Sequence, residues 1–413
     1  MKRLVFGFAV VAAATAFGLS GALAHPVKGT PGVSATTVTI GGTFPLSGPA
    51  SGYAPIARGM KAYFAYINSR KGKDGKRGVY GRQIVFKYVD DGYVPANAVQ
   101  LTRQLVEQDG VFALVGGLGT DNQVAVRDYL NQSKVPQLFV STGATTFGAD
   151  HSKYPWTIGW QPTYQAEGIA YADWLNSHDS GAKIGVLYQN DDYGHDYLNN
   201  FKGALKNKNQ IVDEEGYEVT TPSVQTQVVK LKSSGADTFL VLATPKFTIQ
   251  ALVIAYKLGW KPKLYVNSVS ATDTFLTIAA TAAGSNDAVN GVITDNYLRD
   301  PGDPTQRKDP SVKLYFRLMG KYGPSGARLT DILYLYGMAK AHTFVTTLYQ
   351  AGKNPTRDSV MRAATHLHEK NPFLLSGITI KTTPSDYFPI CNSELTRWNN
   401  GNFSKVSDLI KGC

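Results

Sequence analysis

From Thr36 onward, short β-branched runs alternate with longer stretches whose apolar residues recur at helical spacing. TTVTIGGTFP reads as a strand with its exit loop, and IARGMKAYFAYINS as the amphipathic helix that follows. The rhythm continues through RQIVFKYVDD and ANAVQLTRQLVEQDG, then FALVGG, NQVAVRDYLNQS and PQLFVST. A second series begins at TYQAEGIAYADWLNSH and AKIGVLYQND and runs to FTIQALVIAYKLG and PKLYVNS. NGVITDNYL reads as a crossing segment, and SVKLYFRLMGKYG and TDILYLYGMAKAHTFVTTLYQAG as long helices. Strands that alternate with helices predict parallel-rich sheets covered on both faces. The expected fold class is therefore α/β: two Rossmann-like domains built from discontinuous parts of the chain, with a ligand cleft between them.

The 413 residues are 43% hydrophobic and 18% charged, enough apolar surface for two cores and against a disordered chain. The net charge of +11 changes little, because the basic residues are scattered. Their nearest approach to a cluster is Lys71, Lys73, Lys76, Arg77 and Arg82, broken by glycines and attached to no nucleic-acid-reading motif. No nucleic-acid partner is expected. Lys2 and Arg3 precede an apolar run that ends in Ala22-Leu23-Ala24, the pattern of a cleaved signal peptide over residues 1–24, with a retained membrane helix as the other reading. Export places the chain in the periplasm or outside the cell. There Cys391 and Cys413 form a disulfide or stay as two free thiols.

Motifs for chemistry are missing. VTIGGTFPLSG lacks the G-x-G-x-x-G spacing, GGLGTDN lacks the lysine of a phosphate loop, and no HExxH pair is present. Ser141 in VSTGATTF has no G-x-S-x-G elbow and no marked partner. Asp191, Asp192 and His195 can be drawn as an acid–base cluster, but the same residues suit a helix N-terminus. No cofactor, metal or catalytic residue is expected, and a binding site without chemistry fits best. An enzyme working in the cleft, such as a hydrolase, is the remote alternative.

Three segments in order, FPLSGPASGYAPIARGMKAYFAYIN, DDGYVPANAVQLTRQLVEQDGVFALVGGLG and VPQLFVSTGAT, closely resemble one family. The likeness continues through GVLYQNDDYGHDY and covers nearly the whole chain after the leader. The family is that of the extracytoplasmic substrate-binding proteins of branched-chain amino acid ABC importers, with the type I periplasmic binding protein fold. The resemblance implies two lobes, here 36–158 plus 296–372 and 159–295 plus 373–413, which close as a monomer around a small-molecule ligand. It also implies delivery of that ligand to an ABC permease in the membrane. A sensor of the same fold that feeds a signalling receptor is the alternative.

Residue by residue, the resemblance places Thr120 and Thr145 on a ligand carboxylate and the Gly143 carbonyl on its ammonium. Tyr193 matches an aromatic of the second lobe and Tyr53 one near the side-chain pocket. Trp160 either lines the pocket or packs between the lobes. The chain departs from the family where an acid meets the ammonium: Ser268 stands at the matched position, and Lys246 and Asp273 are the charged residues nearby. A serine does not replace a carboxylate charge. The ligand is therefore expected to be a small polar solute: an amino acid, an amide or a small carboxylate.

Overall fold

The computed structural model describes residues 29–72 and 74–413. The leader and Lys73 lie outside the described residues. The first sheet is wholly parallel: β1 (Thr37–Phe44), β2 (Gln83–Asp90), β3 (Leu114–Val115), β4 (Gln137–Val140) and β5 (Thr157–Gly159), in the order 2-1-3-4-5. Its crossovers are α1 (Pro55–Ser69), α2 (Pro95–Arg103), α3 (Thr120–Gln132) and α4 (Thr146–Ala149). The second sheet repeats the plan with β6 (Lys183–Gln189), β7 (Gln210–Tyr217), β8 (Thr238–Leu242), β9 (Lys263–Val266) and β10 (Ile293–Asn296). α5 (Tyr164–His178) leads into β6, and between the strands run α6 (Asp192–Ala204), α7 (Gln225–Ser233), α8 (Pro245–Lys257) and α9 (Asp273–Ala283).

After β10 the chain returns to the first lobe as α10 (Pro310–Tyr322), α11 (Ile332–Ala351) and α12 (Arg357–Ala364), followed by the ribbon β11 (His368–Glu369) with β12 (Ile380–Lys381). It then crosses back as β13 (Asn392–Asn399), antiparallel to β10, and ends in β14 (Asn402–Lys405) and β15 (Ile410–Lys411) on that edge. The packing differs from the expected boundary at 372. Phe373, Leu374, Ile378, Ile380, Tyr387 and Ile390 are buried in the first core, because the ribbon folds its apolar side onto that lobe. The crossing falls after Ile390.

α11 is the spine of the first lobe. Asp331 caps it by accepting from the Leu333 N–H at 3.0 Å. It lies so close to α1 that a Cβ on Gly59 would meet the Tyr334 carbonyl at 2.2 Å, and one on Gly337 would meet the Ile56 carbonyl at 2.1 Å. Only glycine admits that approach. In both sheets the order reverses beside the first strand of the lobe, so the carboxyl ends of β1 and β3 face those of β6 and β8 across one crevice. Open α/β sheets bind ligands at this position.

The lobes touch around that crevice. The Tyr53 hydroxyl lies 3.3 Å from that of Ser270, and Arg328 pairs with Asp273 at 2.9 Å. At the facing N-termini of α3 and α6 the contact is repulsive. Burial, then the charges of Asp191 and Asp192, push Asp121 up to about 7. A carboxyl raised in the folded state makes its full contribution to stability below its unfolded value of about 4. That contribution is lost as pH rises through about 7. Asp121→Asn is therefore expected to flatten the fall in stability across this window, measured by chemical unfolding at a series of pH values; an unchanged slope counts against it.

Cys391 and Cys413 are joined in a disulfide, which pins the terminal strand to the start of β13. The bond closes a loop of sequence separation 22. In the chain-entropy model a loop of this size adds about 3 kcal/mol of stability. Cys391→Ser with Cys413→Ser is expected to lose about that amount in denaturant unfolding, whereas an unchanged midpoint would show that the tail adds nothing.

Candidate functional site

The crevice between the lobes is a cavity lined by residues of both, open at its mouth. Six tyrosines face it: Tyr53, Tyr93, Tyr164, Tyr193, Tyr297 and Tyr336. Its ionisable carboxylates are Asp273, Asp295 and Asp300, and no lysine, arginine or histidine of the described residues is in the wall.

The first-lobe wall is made by the exits of β3 and β4. Gly119 takes a φ of 100°, which turns the chain into α3 and leaves Thr120 at the cavity. The Thr120 hydroxyl lies 2.7 Å from that of Thr142. Ser141 lines the cavity beside it and donates to the Gly116 carbonyl at 2.6 Å.

The second-lobe wall is built on a buried acid. Glu167, on α5, accepts from the Tyr171 hydroxyl at 2.6 Å, the Tyr197 hydroxyl at 2.8 Å, the Ser268 N–H at 2.6 Å and the Ser268 hydroxyl at 2.7 Å. Burial raises its pKa, and these donors oppose the rise. Tyr193, at the first turn of α6, is hydrogen-bonded through its hydroxyl to the Asn267 side chain. Asp295 follows on β10. Both its carboxylate oxygens are buried without a hydrogen-bond partner among the described residues. Ser393, beside it on β13, opposes the rise in its pKa but falls outside hydrogen-bond geometry. Burial, then the nearby Glu167 charge, push Asp295 well above the usual carboxylate range.

Of the residues singled out in the sequence, Tyr53, Thr120, Tyr193 and Ser268 stand in the cavity wall, as does Asp273. Four others do not. The Thr145 N–H and hydroxyl, expected to hold a ligand acid, are taken by the Asp196 carboxylate of α6 at 2.7 and 3.0 Å. The Gly143 carbonyl accepts from the Tyr164 N–H at 2.8 Å. Trp160 is fully buried and donates to Thr343 at 3.1 Å, which makes it a packing residue where the chain first crosses between lobes. Lys246 donates to the Thr221 carbonyl at 3.3 Å and lies over the Phe247 ring, away from the cavity. Asp191 caps α6 through the Gly194 N–H at 3.2 Å, and His195 bonds Asn190.

Sequence reasoning missed Glu167 and Asp295. The signal for Glu167 was faint, an acid in the first turn of an amphipathic helix. For Asp295 it was a carboxylate inside the apolar segment NGVITDNYL.

The model of the family described as periplasmic binding protein matches residues 37–402. Among curated proteins, a Leu/Ile/Val-binding protein homolog 3 of Brucella melitensis biotype 1 is 29% identical over 204 residues, covering 48% of this chain and 52% of that protein. The chain thus spans about half the length of the curated relatives it matches. Among solved structures, a fatty acid ABC transporter substrate-binding protein from Thermomonospora curvata superposes with a TM-score of 0.77 at 22% identity, covering 93% of this chain and 95% of that one. A branched-chain amino acid ABC transporter protein from Thermus thermophilus with bound valine gives 0.79 at 18% identity, over 92% and 97%. These likenesses establish a common fold, the type I arrangement of two α/β lobes. With the family model spanning both sheets, the chain belongs to the periplasmic binding protein family.

Proposed function

We propose that the chain is the extracytoplasmic substrate-binding component of an ABC importer, which takes up a small polar solute between its lobes and presents it to a membrane permease. The observation that carries this reading is the interlobe cavity, walled by tyrosines and holding a buried carboxylate without a hydrogen-bond partner among the described residues. An unpaired acid in a dry wall is costly unless a partner arrives. A solute with an ammonium or amide N–H supplies that partner. This favours an amino acid or an amide over a small carboxylate that lacks a donor. Asp295, rather than Ser268, Lys246 or Asp273, is our choice for the acidic contact of the second lobe.

In this mechanism the solute docks on Thr120 and Ser141, and bending at the crossings brings Tyr193 and the Ser268 loop over it. Exclusion of water strengthens each polar contact. Ser268 itself is spent on Glu167, so it holds the wall rather than the solute.

Native mass spectrometry of protein purified from its host, with thermal-shift measurements on L-valine, valinamide and 3-methylbutanoate, tests the reading. A bound solute recovered unchanged and a rise in Tm with an amine-bearing probe are expected. Asp295→Asn is expected to weaken those probes about 10- to 100-fold, the worth of one charge-assisted hydrogen bond. Chemical turnover of the bound solute, or no Tm shift with any probe and no co-purified solute, would remove the proposal.

A further inference from the structure

A cation lies behind the first-lobe wall. Lys340 sits midway along α11, with no exposed surface. Its ammonium nitrogen donates to the Gly116 carbonyl at 3.2 Å and to the Ser141 hydroxyl oxygen, and lies 4.6 Å from the centre of the Tyr336 ring. It takes part in no ion pair among the described residues. Burial alone holds its pKa well below that of an ordinary lysine. Tyr336, on its own helix, is the titratable group that faces it, and burial pushes that phenol up. From α1 it meets Met60 near Gly116, and no charged side chain of α1, β3 or β4 acts on it.

A buried lysine without a carboxylate is as unusual as the unpaired Asp295 opposite, and an apolar side chain in its place would avoid the penalty. What distinguishes Lys340 is its reach: one hydroxyl, Ser141, separates it from the cavity. Building on the proposed function, we propose that Lys340, acting through Ser141, is the counter-charge for an acidic group of the solute and takes up one proton as that group docks. The proton comes from solvent to the Lys340 nitrogen. The resulting ammonium donates to the Ser141 oxygen and the Gly116 carbonyl. Ser141 then turns its own O–H from Gly116 to an oxygen of the solute. No covalent bond to the solute forms or breaks. The free protein holds Lys340 neutral and the complex holds it charged, so affinity for an acid falls as pH rises. Glu167 and Asp295 titrate on the opposite wall, so the decisive readout is the difference between wild type and variants. Lys340 is a positioning and charge-supplying residue; Ser141 makes the contact.

Isothermal titration with L-valine and 3-methylbutanoate, each against its primary amide, in phosphate and in Tris buffer, provides the test. The two buffers differ in ionisation enthalpy, so proton uptake appears as a difference in measured heat. The wild type is expected to take up close to one proton more with each acid than with its amide. Lys340→Met is expected to abolish that difference and weaken the acids about 10- to 100-fold, with the amides unchanged. Should that variant fail to fold, Ser141→Ala keeps the lysine and is expected to uncouple it, with the same loss for acids. Equal proton exchange for an acid and its amide, or undiminished acid affinity in the variants, overturns the inference. Binding of amides alone overturns it too and leaves the proposed function standing. Absence of any bound polar solute removes the proposed function first and this inference with it.

Discussion

The cost of holding charge away from water governs this cleft. Glu167, Asp295 and Lys340 are all buried, and among the described residues none is paired with an opposite charge. Glu167 has four donors and Lys340 a carbonyl and a hydroxyl, while the Asp295 carboxylate has no hydrogen bond among the described residues. In a medium of low dielectric such groups respond strongly to any polar molecule placed between them.

That cost explains features that look unrelated along the chain. α11 presses on α1 through Gly59 and Gly337, which seals the first lobe behind Lys340. The tyrosines supply bulk with few rotatable bonds, and their hydroxyls finish internal networks. Tyr336 donates to Gln161 at 2.9 Å, and Tyr171 donates both to Glu167 and to the Val266 carbonyl. The Ser268 loop is tied to α5 through the same acid, so the part of the second lobe that meets the solute is fixed from inside the lobe. Thr145 and Asp196 play the corresponding part between lobes, because the carboxylate of α6 satisfies the turn after β4.

Alternation of apolar runs with helical patterns was enough to read the parallel strands of both sheets, although not the C-terminal edge strands β13, β14 and β15, whose polar residues break the apolar runs. Local spacing says nothing about which distant side chain satisfies a given donor. The resemblance placed Thr145 of the turn STGAT on a ligand carboxylate, whereas its N–H and hydroxyl meet a carboxylate from a helix some fifty residues later. Asp295 stayed hidden because a strand paired on both sides shows no alternation by which to judge which face a polar residue occupies. Lys340 did leave a trace. It is the one Lys, Arg, Asp or Glu between Asp331 and Lys353, and a lone charge in so apolar a helix is seldom left without use.

The two walls also constrain one another. If the first wall held a permanent ammonium and the second a permanent carboxylate, their mutual attraction across a dry gap would draw the empty lobes together and resist entry of a solute. Burial avoids this by disfavouring charge on each: Lys340 is pushed toward its neutral form and Asp295 toward its protonated form. Burial thus disfavours charge at these two positions while leaving each able to ionise. Under the proposed reading, a solute with complementary ends shifts both, and the field that would hold the cleft shut arises only once the solute is there to be held. That ordering, with the two groups neutral when empty and charged when filled, is what a binding protein needs if it is to open and release as readily as it closes.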